Sequence, residues 1–207
     1  MVIRELKPSK RVQGRWLVVL EDGSILRVGE KEVIDFALYT GKELTEDEAQ
    51  VIVEAARRTG LKEKTINLLA RKPMSRRELE RKLGEWEAGE EETAAICDRM
   101  EELGFLNDGE YAARLVRYYS AKGYGERKLR DELYRRGIPR EFWEEALARA
   151  EDSAGAIDAF IEKKLAGKTV NQKELKKVSD ALARRGFSWS DISNALGRYG
   201  ARMEEDV

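Results

Sequence analysis

The feature that most constrains the fold of this chain is a short motif that occurs twice. Residues 134–139 read YRRGIP, and residues 183–188, 49 positions later, read ARRGFS. Each copy has two arginines, a glycine and an apolar residue, and a leucine lies four residues before each glycine. One helical pattern precedes each copy and another follows it (PREFWEEALARA and WSDISNALGRY). A pattern that recurs at a fixed distance indicates a tandem repeat of helical units.

The repeat has three copies with a period near 46–50 residues. In the weaker first copy, the middle helix begins at Ser75, fifty residues before Gly125. One copy alone has few apolar residues for a core, whereas copies packed in series share their interfaces. We therefore expect three units of three helices each, the last one including the C-terminal tail: residues 61–106, 107–150 and 151–207.

Capping signals mark where several of these helices begin. A serine or asparagine is followed three residues later by an acidic residue, which lets the two residues satisfy free backbone amides at a helix start. Apolar residues at spacings of three and four then place one stripe on each helix, as in Tyr111, Leu115 and Tyr119. The capping pairs in the repeats are Ser75 with Glu78, Asn107 with Glu110, Asn171 with Glu174, and Ser188 with Asp191.

The first sixty residues have a different pattern. Residues 15–28 (RWLVVLEDGSILRV) contain two β-branched, apolar runs around Asp22-Gly23, which predicts a β-hairpin. The opening MVIREL predicts a third strand, and residues 31–41 and 45–60 predict two helices, the second ending at Gly60. The predicted fold is mainly α: tandem three-helix repeats in an elongated curved array, with a small N-terminal α+β head over residues 1–60 that contains the hairpin.

Composition argues against an enzyme. The chain has no histidine, and its acidic residues are scattered beside basic ones along helices, as on solvated faces. No phosphate-binding glycine motif is present, so we expect no catalytic, cofactor-binding or metal-binding residues. One cysteine, Cys97, excludes an internal disulfide and is expected to be a half-buried apolar residue. Without a spanning run or signal pattern, we expect a cytoplasmic protein that does not enter a membrane.

Two explanations of the Arg-Arg-Gly motif are consistent with the sequence. Glycine after a helix adopts the left-handed conformation at low cost, and arginines in the last turn favour the negative end of the helix dipole. The motif is then a helix ending. Alternatively, a basic corner recurs along the array and binds a repeating polyanion or an acidic protein surface. The net charge of −1 means that any such binding depends on a local patch.

Tyrosines and cations also alternate in the second repeat. Tyr118, Tyr119 and Tyr124 lie near Arg117 and Lys122, and such interleaving can stack bases and hold phosphates. The alternative is that Tyr119 continues the apolar stripe of its helix and only Tyr118 or Tyr124 lies outside the core. Trp143 is expected to be a core residue.

Three segments of the chain resemble the RecX family of bacterial regulators of the RecA recombinase. They read MSRRELERKL, MEELGFLNDGEYAARLVR and GYGERKLRDELYRRGI, in this order. The N-terminal RWLVVLEDG and GKELTEDE are similar to a head present in many members. The segment GEWEAGEEE (residues 84–92) departs from the family, since it is acidic where a basic, glycine-containing turn is usual.

The resemblance implies a monomeric protein that binds the RecA filament on single-stranded DNA and inhibits its ATPase, coprotease and strand-exchange activities. This would place it in DNA recombination, repair and the SOS response. The rival hypothesis is a helical protein that acts directly on single- or double-stranded DNA without RecA. In either case the candidate contact residues are basic or aromatic and lie in the second and third repeats: Arg117, Lys122, Tyr124, Arg127, Lys128, Arg135, Arg136, Lys176, Lys177, Arg184 and Arg185.

Overall fold

The computed structural model describes residues 1–167 and 170–205. The described chain forms two compact units that divide between Arg71 and Lys72. The first unit contains the only β-sheet found among the described residues, and the second is helical. This mainly helical fold with a small N-terminal α+β unit confirms the fold class predicted from the sequence.

The first unit is a three-stranded antiparallel sheet followed by two helices. Its strands pair in the order β1–β2–β3, and the β2–β3 connection is the predicted Asp22-Gly23 hairpin. Side chains from the sheet, the following loop and the second helix form its core, among them Ile3, Val18 and Ile52. The elements are β1 (Ile3–Pro8), β2 (Arg15–Leu20), β3 (Ile25–Gly29), α1 (Glu30–Asp35) and α2 (Glu46–Arg71).

Two helix boundaries predicted in this unit are wrong. Helix α1 ends at Asp35, well before residue 41; Ile34 is 71% exposed and Ala37 adopts a left-handed φ of 45°. Helix α2 does not end at Gly60 but continues to Arg71. Glycine costs only about 1 kcal/mol in a helix interior, and buried Leu61, Thr65 and Leu69 extend the helix beyond it. A head that folds separately over residues 1–60 stays a prediction.

The second unit consists of short helices joined by tight turns. Their starts agree with the capping signals: the side-chain oxygens of Ser75, Asn107, Asn171 and Ser188 each accept a hydrogen bond from an amide three residues later. The helices are α3 (Arg76–Glu85), α4 (Glu90–Glu102), α5 (Asp108–Ala121), α6 (Glu126–Arg135), a 3₁₀ turn (Arg140–Phe142), α7 (Trp143–Leu147), α8 (Ser153–Leu165), α9 (Gln172–Arg184) and α10 (Trp189–Glu205).

The second and third repeats each enclose a core of their own. Helices α5, α6 and α7 bury one set of apolar side chains, and α8, α9 and α10 bury another. In the second repeat the indole nitrogen of Trp143 donates a 2.9 Å hydrogen bond to the carbonyl oxygen of Ile138, which confirms Trp143 as a core residue. No helix among the described residues has the length and apolar character needed to cross a membrane.

Candidate partner interface at the repeat corners

The Arg-Arg-Gly motif forms the same turn in both copies. Gly137 follows α6 and Gly186 follows α9, with left-handed φ angles of 68° and 89°. The next amide then returns to the last helical turn, from Ile138 to the carbonyl of Leu133 (3.1 Å) and from Phe187 to that of Leu182 (3.3 Å). These bonds satisfy carbonyls that a helix end leaves free. The helix-ending explanation of the motif is therefore confirmed as far as the turn itself is concerned.

The first repeat makes this turn without glycine. After α3 the amide of Ala88 donates to the carbonyl oxygen of Leu83 (3.1 Å), and the left-handed position is occupied by Glu87, with φ of 63°. A non-glycine residue in this conformation carries some strain. Since the turn forms with Glu87, turn geometry alone does not explain why the later copies have glycine.

Both glycines lie against the preceding repeat. A Cβ atom on Gly137 would come within 3.0 Å of side-chain atoms of Arg77, in the first turn of α3. A Cβ on Gly186 would come within 3.0 Å of the backbone nitrogen of Lys128, in the first turn of α6. Real Cβ atoms essentially never approach so closely. We call these two contacts the first joint (residues 135–137 against the start of α3) and the second joint (residues 184–186 against the start of α6).

Hydrogen bonds and burial hold the first joint together. The Ser75 hydroxyl donates to the carbonyl oxygen of Arg136, 61 residues later. The Arg136 guanidinium donates a 2.7 Å hydrogen bond to the Tyr111 hydroxyl and lies 3.5 Å from the Glu78 carboxylate. Only 25% of the Arg136 side chain is exposed. Arg136 thus connects the second repeat to the first.

Backbone groups form most of the second joint. The amide of Gly125 donates to the carbonyl oxygen of Arg185 (2.9 Å), and the amide of Arg127 donates to that of Gly186 (3.1 Å). Gly125 has no room for a side chain, because its Cβ would lie 2.5 Å from the carbonyl group of Gly186. The backbone at the start of α6 therefore contacts the backbone of the turn after α9 directly.

Arg185 closes this joint through its side chain. The guanidinium donates to the carbonyl oxygen of Gly123 (3.1 Å) and lies over the rings of Phe160 (4.7 Å) and Tyr124 (5.5 Å). Arginine stacks well on aromatic faces because its planar charge is weakly hydrated. The second arginine of each motif is thus engaged within the molecule, at positions that sequence reasoning treated as candidate contacts for a partner.

The first arginine of each motif has a different environment. The side chain of Arg135 is 67% exposed and makes one ion pair, at 3.2 Å to Glu132. Arg184 is also exposed. Burial acts to raise the pKa of Glu132, but hydrogen bonds from Lys128 and Arg135 outweigh it and hold that pKa below its usual value. Arg135 and Arg184 are the two motif residues that face outward at matched places in consecutive repeats.

The other candidate residues separate into three groups. Tyr124, Arg127 and Lys128 lie at the second joint, where the Arg127 side chain donates to the carbonyl oxygen of Ala183 (3.2 Å). Two lysines are paired: Lys122 lies 4.1 Å above the ring of Tyr118, and Lys177 contacts a glutamate of its own helix. Two cations are exposed on helix surfaces: Arg117 and Lys176.

The tyrosines follow the core explanation. Tyr111 and Leu115 are buried, and Tyr119 packs partly buried against the same cluster. Tyr118 is 53% exposed on the outer face of the helix. The prediction that Tyr119 continues the apolar stripe is confirmed, and of the neighbouring tyrosines Tyr118 is the one left to solvent.

A second cationic group was missed from the sequence. Arg77, Arg81 and Arg140 line a pocket of about 560 Å³ beside the first joint, together with Arg135 and the exposed ring of Tyr134. The repeat could have indicated Arg77, because it lies fifty positions before Arg127, which is one of the candidate contact residues. Fifty residues is also the distance between the starts of α3 and α6, the middle helices of the first two repeats.

Cys97 is fully buried in α4, which corrects the expectation of half burial. Burial raises the pKa of its thiol to about 11, so the reactive thiolate is scarce at neutral pH. Among the described residues, no group of three or more cysteine and carboxylate side chains is placed to hold a metal ion.

Comparison with family models identifies the three repeats. Residues 62–100 match the first three-helix domain of RecX, residues 107–147 the second and residues 151–196 the third. The matched segments together cover more than half of the chain. The chain belongs to the RecX family. The two joints are therefore contacts between successive RecX domains, and the first RecX domain begins within helix α2.

Relatives of this RecX-family chain include several named regulatory protein RecX. The one from Pseudomonas entomophila is 34% identical over 144 residues, which cover 69% of this chain and 90% of that protein. The one from Clostridioides difficile is 23% identical over 211 residues, covering 100% of this chain and 99% of the relative. The family name thus extends to a relative that matches the N-terminal unit as well.

Two solved structures support the fold. A crystal structure of regulatory protein RecX aligns with 95% of this chain and 98% of its own at a TM-score of 0.71 and 23% identity. The crystal structure of RecX from Lactobacillus salivarius aligns with 70% of this chain and 97% of its own at a TM-score of 0.64 and 22% identity. At these identities the likeness supports the fold alone.

Proposed function

We propose that this chain binds the filament that RecA recombinase forms on single-stranded DNA and lowers its ATPase, coprotease and strand-exchange activities. In this role it acts in the cytoplasm, in DNA recombination and repair and in the SOS response. Membership of a family of regulatory proteins supports the general role. The division into a head of residues 1–60 and repeats of 61–106, 107–150 and 151–207 is part of the same proposal.

The observation that carries the proposal is the matched exposure of Arg135 and Arg184. They occupy the same place in consecutive repeats, 49 residues apart, while their neighbours Arg136 and Arg185 fix the joints. A filament presents the same surface on successive subunits. Two outward cations on a chain of linked repeats suit such a target, because each contact can meet a different copy of one acidic feature.

The strength of such an interface comes from linkage rather than from any one contact. An exposed ion pair contributes only about 0–1 kcal/mol. Contacts on a single folded chain act at a high effective concentration once the first has formed, so that several weak pairs add to useful affinity. A protein bound across neighbouring filament subunits can favour the arrangement that it fits and disfavour extension or turnover.

The ATPase rate of RecA on single-stranded DNA tests the proposal. Rising amounts of this protein should lower the steady-state rate to a plateau when RecA and DNA are held constant. An assay with a RecA-independent ATPase serves as the control for contamination. If the RecA rate stays unchanged at a molar excess of this protein, the proposed function is wrong.

A further inference from the structure

The pocket beside the first joint is a strongly basic concave surface of the second unit. Five arginines line it, with one acidic residue, Glu78. Glu78 lies 3.5 Å from the guanidinium of Arg136, so this pair is largely neutral. The remaining four arginines leave a positive pocket in a chain whose net charge is −1: Arg77, Arg81, Arg135 and Arg140.

Three of these cations have no ion-pair partner within the described chain. Arg77 and Arg81 are exposed in α3 without a carboxylate, and Arg140 lies over the Trp143 ring at 5.6 Å. By contrast, Arg76 in the same helix contacts Glu80, Asp98 and Glu101. Unneutralised like charges around a concave surface repel one another, and a bound anion relieves that repulsion.

The first joint sets the positions of these arginines. Arg77 lies in the first turn of α3, and its side chain packs under Gly137. Arg140 follows Gly137 in the second repeat, just beyond Pro139. The cations of the pocket therefore come from two repeats, and the contact of residues 135–137 with the start of α3 brings them together.

An aromatic ring at the pocket favours one class of anion. Tyr134 is 72% exposed and lines the same pocket. Guanidinium groups bind phosphates in two-point geometry, and an exposed aromatic ring next to them can stack an unpaired base. Carboxylates of an acidic protein would use the arginines but not the ring, and a duplex offers no free base face.

We propose that this pocket binds a single nucleic-acid strand directly, with Arg77, Arg81 and Arg140 on its phosphates and Tyr134 stacked on a base. The site would act without RecA, so it stands independently of the proposed filament function. Because it spans the first joint, an occupying strand also links the first and second repeats.

Fluorescence anisotropy with a labelled 20-nucleotide oligothymidylate, in the absence of RecA, tests this site. The triple variant Arg77→Gln, Arg81→Gln, Arg140→Gln should bind at least about tenfold more weakly than the wild type. The slope of log affinity against log salt should fall by about 2, since each lost phosphate contact on a single strand removes about 0.7. Tyr134→Leu should weaken binding about fivefold or more through lost stacking.

A matched control removes three exposed cations from the first unit: Lys10→Gln, Arg11→Gln, Lys62→Gln. It changes net charge equally and should bind like the wild type. Circular dichroism checks that the variants are folded; if the triple variant is not, Arg81→Gln alone should still weaken binding. The proposed site is wrong if the triple variant binds the oligonucleotide with wild-type affinity, or if the control variant loses as much affinity as the triple variant.

Competition against the labelled strand tests the class of ligand. If polyglutamate or duplex DNA displaces it as well as unlabelled oligothymidylate does, and Tyr134→Leu has no effect, the ligand is not a single strand.

Discussion

The backbone amide of Gly125 donates a 2.9 Å hydrogen bond to the carbonyl oxygen of Arg185, sixty residues later. At this hydrogen bond the backbones of the second and third repeats are in direct contact, with no side chain between them. A Cβ on Gly125 would lie 2.5 Å from the Gly186 carbonyl group. We predict that Gly125→Ala destabilises the protein by about 1–3 kcal/mol, because the backbone must move to admit the methyl group.

Thermal unfolding followed by circular dichroism measures this effect. Gly197→Ala is the matched control, since a Cβ on Gly197 in α10 would meet no atom of a neighbouring element within 4 Å and alanine is the better helix former. It should leave the melting temperature unchanged or raise it slightly. An unchanged melting temperature in Gly125→Ala would mean that the two main chains are not packed as described.

The two arginines of one motif should respond differently to substitution. Arg136→Gln removes the hydrogen bond to Tyr111 and leaves the half-buried Glu78 without its cation, so it should cost about 1.5–3 kcal/mol. Arg135→Gln changes an exposed side chain and should stay within about 0.5 kcal/mol of the wild type. Urea unfolding of both variants measures the difference. If both variants lose the same small amount of unfolding free energy, Arg136 does not make the partly buried contacts with Tyr111 and Glu78.

Glu132 gives the second repeat a predictable dependence on acid. Its carboxylate lies 3.1 Å from Lys128 and 3.2 Å from Arg135, and its pKa is lowered in the folded protein. A lowered pKa means that the ionised form stabilises the fold above the unfolded pKa of about 4.3, and that this contribution is lost as pH falls through the folded value. Glu132→Gln should therefore melt below the wild type at pH 7.

The pH series contains its own control. Other carboxylates titrate in both proteins, so the gap in melting temperature between wild type and Glu132→Gln isolates the contribution of this residue. The gap should narrow as pH is lowered from 5 towards 3. A gap that stays constant over this range would show that the effect of the substitution does not arise from the charge of Glu132.

Neighbouring tyrosines on α5 provide a test of core packing. Tyr119 packs partly buried against the core of the second repeat, whereas Tyr118 is 53% exposed. We predict that Tyr119→Ala costs about 3 kcal/mol and Tyr118→Ala less than about 1 kcal/mol. Chemical denaturation of the two single variants measures both values. A larger loss in Tyr118→Ala would place the wrong tyrosine in the core.

Local signals in the sequence predicted the elements well. The cap at Ser75, the hairpin at Asp22-Gly23 and the stripe that includes Tyr119 each depend on residues a few positions apart. Such signals are read without knowledge of the tertiary fold. The end of α2 was missed because a single glycine, Gly60, stops a helix only when neighbouring contacts do not continue it.

The roles of the arginines could not be derived from local patterns. Arg136 meets Ser75 across 61 residues and Arg185 meets Gly123 across 62, and a helix ending looks the same with or without such a partner. The fifty-residue repeat indicated that the turns after α6 and α9 would be equivalent. It did not indicate that each turn would pack against the preceding repeat. Arg77 was overlooked for the same reason, since its relation to Gly137 exists only once the joint has formed.

The steady-state ATPase rate of RecA on single-stranded DNA tests the central claim most directly, using the wild type and the double variant Arg135→Gln, Arg184→Gln. We predict that the wild type lowers the rate to a plateau. The folded double variant should need several-fold more protein for the same inhibition and depend less on salt, because both lost contacts are ionic. A RecA rate that the wild type does not lower at any concentration would contradict the claim that this chain regulates the filament.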